Sequence, residues 1–306
     1  MQRQYKDYLS DFKSWNQKKH AKDWMLFSKN LGSYLSLDET AFSNGDLYTV
    51  LTNKKAKGKK GAIIAMVKGT KADAVIQILH KIPLKQRKKV KEITLDMAGN
   101  MGLIVKKSFP NATQVIDRFH VQKLALDALQ EIRIKHRWEA LDKENDAIEN
   151  ARNKSLKYTP GLLENGDSLK QLLARSRYLL YKNSSKWTDN QVARAKILFE
   201  HYPDIEKAYK LCQNLSWIFN NTKDKTSALI RLAKWDEKVR QAKFKSFNSI
   251  ARTMSIHYKN ILNYFDNRST NASAESFNAK IKAFRVQFRG VRNVEFFLFR
   301  LTNIFA

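Results

Sequence analysis

The sequence predicts a mixed α/β chain in which strands and helices alternate early and helices dominate later. Three observations carry that expectation. Short apolar runs bounded by Gly, Pro or Lys-rich breaks recur through residues 31–116, which is how buried strands read. Helical spacing appears between them and takes over from residue 122. Gly and Pro number only 10 and 4 in 306 residues, too few for a turn-rich all-β fold.

Residues 1–30 are a polar, aromatic-spotted lead-in, expected to be helical over residues 6–27. Residues 31–38 (LGSYLSLD) read as a strand ending in an acid, 46–52 (DLYTVLT) as a second and 61–67 (GAIIAMV) as a third. The Lys-rich stretch between the last two is a hairpin loop. Ala74, Val75, Ile78, Leu79 and Ile82 have helical spacing, with Thr70 as the expected N-cap and Pro83 as the stop. Residues 91–97 (KEITLDM) return to strand, 102–109 form a helix stopped by Pro110, and 113–116 (TQVI) are a fifth strand. The order β-β-β-α-β-α-β makes a three-strand meander extended by two right-handed crossovers. The expected fold class is therefore α/β, a ribonuclease H-like mixed five-stranded sheet. Helices are expected over 122–152, 189–201, 204–219, 226–244 and 247–264, then 274–284 and 293–305. The expected organisation is a lead-in (1–30), a core (31–121), a large all-helical insertion (122–268) and a return to the core (269–306). Most of Trp138, Trp187, Trp217 and Trp235 should pack inside the helical region, with one free to stack on a displaced base.

Charge narrows the function. Lys plus Arg number 57 against 29 Asp plus Glu, a net charge of +28. Self-repulsion of that size calls for a polyanion, and nucleic acid is the usual one. The basic residues are dispersed along the chain, so the binding surface should belong to the folded body. One cysteine, Cys212, permits no internal disulfide and no Cys-based zinc finger, which fits a reducing cytoplasm. No apolar run reaches membrane-spanning length, and the first residues lack a signal-peptide core.

Three acids stand out. Asp38 and Asp96 each end an apolar strand, and Glu275 lies on a helix after the helical region. An Asp at a strand end is commonly a turn or cap residue. In this strand order, however, the first and fourth strands are neighbours, so both carboxylates emerge at one edge of the sheet. Phosphoryl transfer on DNA needs that chemistry: carboxylates hold a pair of Mg²⁺ (or Mn²⁺) ions that stabilise charge at phosphorus and generate an oxygen nucleophile.

Leu37-Asp38-Glu39, Leu95-Asp96-Met97-Ala98, Asp117-Arg118-Phe119-His120 and Asn271-Ala272-Ser273-Ala274-Glu275-Ser276-Phe277-Asn278 resemble, in order, the signature blocks of DDE insertion-sequence transposases. The group they resemble is the one called ISL-three, in particular its ISAon-like branch. Residues 288–297 resemble that group's C-terminal block. The resemblance implies that Asp38, Asp96 and Glu275 are the catalytic, metal-binding acids, with two Mg²⁺ or Mn²⁺ per site. It also implies that Asp117 and His120 form an Asp-x-x-His element beside them. His120 would donate a proton or hydrogen bond to the DNA, or else be a buried ring at a strand end. Asn271, Asn278, Lys280, Lys282, Arg285 and Arg289 would hold DNA phosphates, or be an ordinary basic helix. Glu39 should point to the other side of its strand and be structural.

The implied activity is cleavage at insertion-sequence ends and strand transfer into target DNA, by a homodimer or larger assembly in the bacterial cytoplasm, at the nucleoid. Family members usually carry an N-terminal zinc-binding and helix-turn-helix region. Only some thirty residues precede the first catalytic strand here. End recognition is therefore expected on a separate DNA-binding polypeptide, the chain being a truncated or split-gene product. The rival readings are a ribonuclease H-like nuclease or resolvase, and a degenerate transposase-derived DNA-binding protein.

Overall fold

A computed structural model describes residues 4–41, 46–287 and 293–306. The chain divides into two compact units. The first comprises Met1–Arg118 and His257–Ala306, and the second Phe119–Ile256.

The first unit is built on one sheet of six strands. They are β1 (Trp24–Leu26), β2 (Tyr34–Ala41), β3 (Leu47–Asn53), β4 (Ile63–Lys68), β5 (Glu92–Leu95) and β6 (Thr113–Ile116). Their order is β1-β4-β3-β2-β5-β6. The β1–β4, β4–β3 and β3–β2 pairs are antiparallel, while β2–β5 and β5–β6 are parallel.

The expected count of five strands is corrected to six. The extra one, β1, lies in the lead-in expected to be helical. There the helix spans only Tyr5–Leu9, and turns carry the chain to β1. The cause is tertiary pairing: Met25 lies opposite Met66 on β4, and both Gln17 amide groups bond the Leu26 backbone. A three-residue strand is too short to declare itself by periodicity.

The two sheet faces are covered differently. Leu35, Leu37, Leu51, Ala65, Ile93 and Leu95 pack under helices α1 (Ala72–Leu79) and α2 (Gly99–Ser108). On the opposite face Val50, Ile63 and Met66 meet α9 (Ala272–Gln287) and α10 (Val294–Phe305) through Phe277, Ile281 and Leu301. Lys71, not Thr70, sits at the N-cap of α1, with no side-chain cap. The Thr70 carbonyl instead accepts a 2.9 Å bond from Asn100 of α2.

The second unit is helical. Its principal elements are α3 (Arg118–Asn153), which starts on the last residue of the first unit, then α4 (Leu169–Arg175), α5 (Asp189–His201), α6 (Pro203–Asn221) and α7 (Lys225–Ala242), with α8 (Asn248–Leu262) leading out. Asp167 is fully buried and satisfied by Arg175 and Arg194. Trp235 is fully buried and donates its ring N–H to the Leu211 carbonyl at 2.8 Å. Trp138 and Trp217, at 58% and 49% exposure, do not pack inside, so the expectation that most of the four tryptophans are core is corrected. Cys212 is buried, and burial pushes its thiol up. Among the described residues no helix is long and apolar enough to cross a membrane.

Candidate active site

The register of β2 and β5 positions the two aspartates. Leu35 pairs with Ile93 and Ser36 with Thr94. Two residues beyond the last pair, each chain segment reaches its aspartate, Asp38 still within β2 and Asp96 just past the end of β5. β2 does not end at Asp38, as the sequence suggests, but runs to Ala41 because β3 continues beside it, with Asp38 opposite Val50. That pairing assigns Asp38 to the α9 side of the sheet.

Each carboxylate is oriented by short bonds. One Asp38 oxygen accepts the Glu39 N–H at 2.8 Å and the other accepts the Asn278 side-chain amide at 2.8 Å. Asn278 therefore docks α9 onto β2. Asp96 accepts the Ala98 N–H at 2.8 Å, a turn geometry that begins the short link into α2. Glu275 lies on α9 three residues before Asn278, less than one turn away, and is exposed. Its backbone N–H donates to the Asn271 carbonyl at 2.9 Å.

Glu39 points to the opposite face of β2, as strand alternation requires. Burial, then the Asp96 charge, raises its carboxyl above the usual range. A hydrogen bond from Asn100 opposes this, and Asp38 adds a smaller upward push. Negative charge therefore accumulates at this end of the β2–β5 seam. Among the described residues no group of three or more His, Cys, Asp or Glu is gathered closely enough to hold a metal ion.

A buried polar network lies along the same face of β5. Glu92 and Thr94 alternate with apolar Ile93 and Leu95, and point to the side of Ser36 and Asp38. Lys54, immediately after β3, donates to the Thr94 hydroxyl and pairs with Glu92 at 3.6 Å. Burial lowers the Lys54 ammonium, opposed by Glu92 and Asp117. Asn267 donates to the other Glu92 oxygen at 3.0 Å. Asp117 is 1% exposed and accepts the Asn271 N–H at 2.9 Å, which fixes the start of α9. Asn271 is itself fully buried, and its side-chain amide has no hydrogen-bond partner among the described residues.

The remaining candidates are dispersed. Lys280 donates to the Gly58 carbonyl at 2.7 Å, and Gly58 needs its left-handed backbone (φ 66°) to present it. Lys282 and Arg285 are exposed, and Arg289 lies outside the described residues. His120 is half-buried on the first turn of α3, in the second unit, with its ring edge-on to Phe119 at 5.6 Å. Lys54 and Glu92 are the residues that sequence reasoning passed over. The available signal was a Glu at the head of an apolar strand, in step with Thr94 and Asp96.

The chain is 21% identical over 278 residues to the transposase for insertion sequence element IS1001 of Bordetella parapertussis. That alignment covers 89% of this chain and 61% of the relative, so the chain spans less than two thirds of the relative's length. No solved structure matches it. The profile of the DDE transposase family of the ISL3 group matches residues 35–301, most of the chain and every acid described above, and the chain belongs to that family.

Proposed function

We propose that this chain is the catalytic part of an insertion-sequence transposase with a ribonuclease H-like core, which cleaves DNA at element ends and joins the freed 3′ ends to target DNA. The observation that carries the proposal is the parallel pairing of β2 with β5, which lead the chain into Asp38 and Asp96, with α9 tied to Asp38 through Asn278.

The donor set fits a hard divalent cation. Two carboxylates stand where paired strands lead, and the charge of both is already felt by Glu39. Asp38 and Asp96 would hold the ions, with Glu275 as the third acid brought by α9. When bound, a pair of Mg²⁺ or Mn²⁺ ions supplies charge stabilisation at phosphorus and an activated oxygen nucleophile. The chain's own residues do the rest. Asn278 holds one Asp38 oxygen in place. Asp117, through the Asn271 N–H, sets where α9 begins and hence where Glu275 stands. Lys282, Arg285 and Arg289 are assigned to phosphates of the bound strand. His120 is assigned a proton or hydrogen bond donated to the DNA. Asn271, being buried, is taken off the DNA-facing set. Cleavage at two element ends calls for a dimer or larger assembly, working in the cytoplasm at the nucleoid.

The test is strand transfer from pre-cut element ends in Mg²⁺. Asp38→Asn, Asp96→Asn and Glu275→Gln should each reduce joined product to background, while a gel-shift assay finds DNA still bound. Mg²⁺-dependent joining retained by these variants would overturn the site. A wild-type protein that cuts but never joins would be a nuclease.

A further inference from the structure

We propose that the α6–α7 hairpin of the second unit is a contact surface for unpaired DNA, a basic groove that ends in a stacking platform. The inference rests on the transposase reading for the presence of DNA and adds where and how the helical unit holds it.

The two helices pack antiparallel, and one stripe of each faces the same groove. On α6 the stripe is Lys207, Lys210, Asn214 and Trp217, spaced at three and four residues. On α7 it is Arg231, Lys234, Lys238 and Gln241, again at helical spacing. Lys207, Lys210, Asn214, Lys238 and Gln241 line a groove of about 430 Å³ with Leu211 among its walls. Beneath it, buried Trp235 bonds the Leu211 carbonyl at 2.8 Å, so the groove stands on a rigid base. At its far end the Arg231 guanidinium lies 4.9 Å from the centre of the Trp217 ring and donates to Thr222 at 3.0 Å.

The chemistry fits one occupant. Five cations on the two stripes form a linear positive track. Glu206 pairs with Lys210 at 2.6 Å, but this is an exposed i,i+4 pair of the kind worth little in water. From Lys207 to Trp217 the track is about 15 Å long, room for a few phosphates of one strand. A half-exposed tryptophan, with an arginine holding its ring, is a stacking surface for a base, and only an unpaired base presents its face. A duplex would use the lysines and leave Trp217 idle. The groove is lined by three lysines and two amides with no acid among them, a charge pattern that suits a polyanion.

The test uses the full chain and short mixed-sequence DNA, as a fluorescein-labelled single strand and as its duplex, across a salt series. The groove variant combines Lys207→Ala, Lys210→Ala and Lys238→Ala. A control of equal charge loss combines Lys143→Ala, Lys154→Ala and Lys157→Ala, which are exposed elsewhere on the same unit. The groove variant should weaken single-strand binding at least about tenfold and lower its salt slope by about two, while the control moves the slope by less than about one. Trp217→Ala should weaken single-strand binding by about five- to a hundred-fold and leave duplex binding nearly unchanged. All seven side chains are exposed, so the variants should fold, and circular dichroism checks that they do. A groove variant indistinguishable from the control, a silent Trp217→Ala, or a change confined to the oligomeric state would each overturn this inference and leave the transposase reading standing. Failure of the wild-type protein to bind either DNA would instead strike at that reading.

Discussion

The two faces of the sheet follow different rules, and the difference is confined to one seam. On β3 and β4 both faces are apolar: Leu51 and Ala65 look to one core, Val50 and Met66 to the other. On β2 and β5 only one face is. Leu35, Leu37, Ile93 and Leu95 join the core under α1 and α2, while Ser36, Asp38, Glu92 and Thr94 occupy the reverse. One apolar face is enough to specify register, because a slip of one residue would bury the acids in that core. The other face is thereby released for chemistry, at the cost of buried polar groups that must find partners. Lys54 and Asn267 supply partners to Thr94 and Glu92, and Asp117 holds the Asn271 N–H.

This contrast can be broken most strongly at Lys54. Lys54→Met leaves Glu92, 3% exposed, as a buried charge without its cation, and should cost about 3–5 kcal/mol in denaturant unfolding. The double variant Lys54→Met/Glu92→Leu should recover most of that, since an apolar pair of similar size suits a buried site. A double variant no more stable than the single one would mean that the network does more than neutralise itself. Asn271 sharpens the contrast with a smaller change of opposite sign. Its buried amide contributes no bond of its own, whereas its backbone N–H serves Asp117. Asn271→Leu keeps the backbone contact and removes the unsatisfied amide, so stability should rise by about 1 kcal/mol. A loss instead would show that the folded chain holds the amide by packing or a bound water that leucine does not replace.

Much of this was readable in the sequence, for reasons that differ by element. β6 and the helix Asp189–His201 fall where pattern placed them, the first between Pro110 and the acid Asp117, the second between the polar Thr188 and Pro203. Asp38 and Asp96 were legible because apolar runs lead straight into them. That their strands are neighbours was expected from the strand order, but the register in which Leu35 meets Ile93 was not, since register is a property of two strands together. β1 escaped because three residues carry no periodicity, and what makes them a strand is β4. Lys54 escaped because it heads a lysine-rich run that reads as a solvated loop; its bond to Thr94 and its pairing with Glu92 distinguish it from Lys55 and Lys57. Trp138 and Trp217 escaped because a helix pattern does not say which of its faces will be covered.

The smallest effect separates the two faces by pH. Glu39 sits on the apolar side, yet its carboxyl is raised by burial and then by Asp96, with a smaller part from Asp38. An acid whose folded pKa exceeds its unfolded value of 4.5 keeps its proton longer in the folded chain. Stability then falls as pH rises from about that value through the raised folded pKa, because over that window the folded state holds more protons. Above the window the loss is complete, and below it there is none. Glu39→Gln removes the charge while keeping an acceptor for Asn100, so it should be more stable than the parent at neutral pH and equal to it in acid. Thermal unfolding in a chelating buffer, followed from below 4.5 to neutrality, checks this. Added Mg²⁺ should narrow the gap, because a cation shared by Asp38 and Asp96 would relieve the repulsion that Glu39 feels. A gap that ignores both pH and cation would mean that burial alone sets the Glu39 environment, and that the acids across the strand exert no field on it.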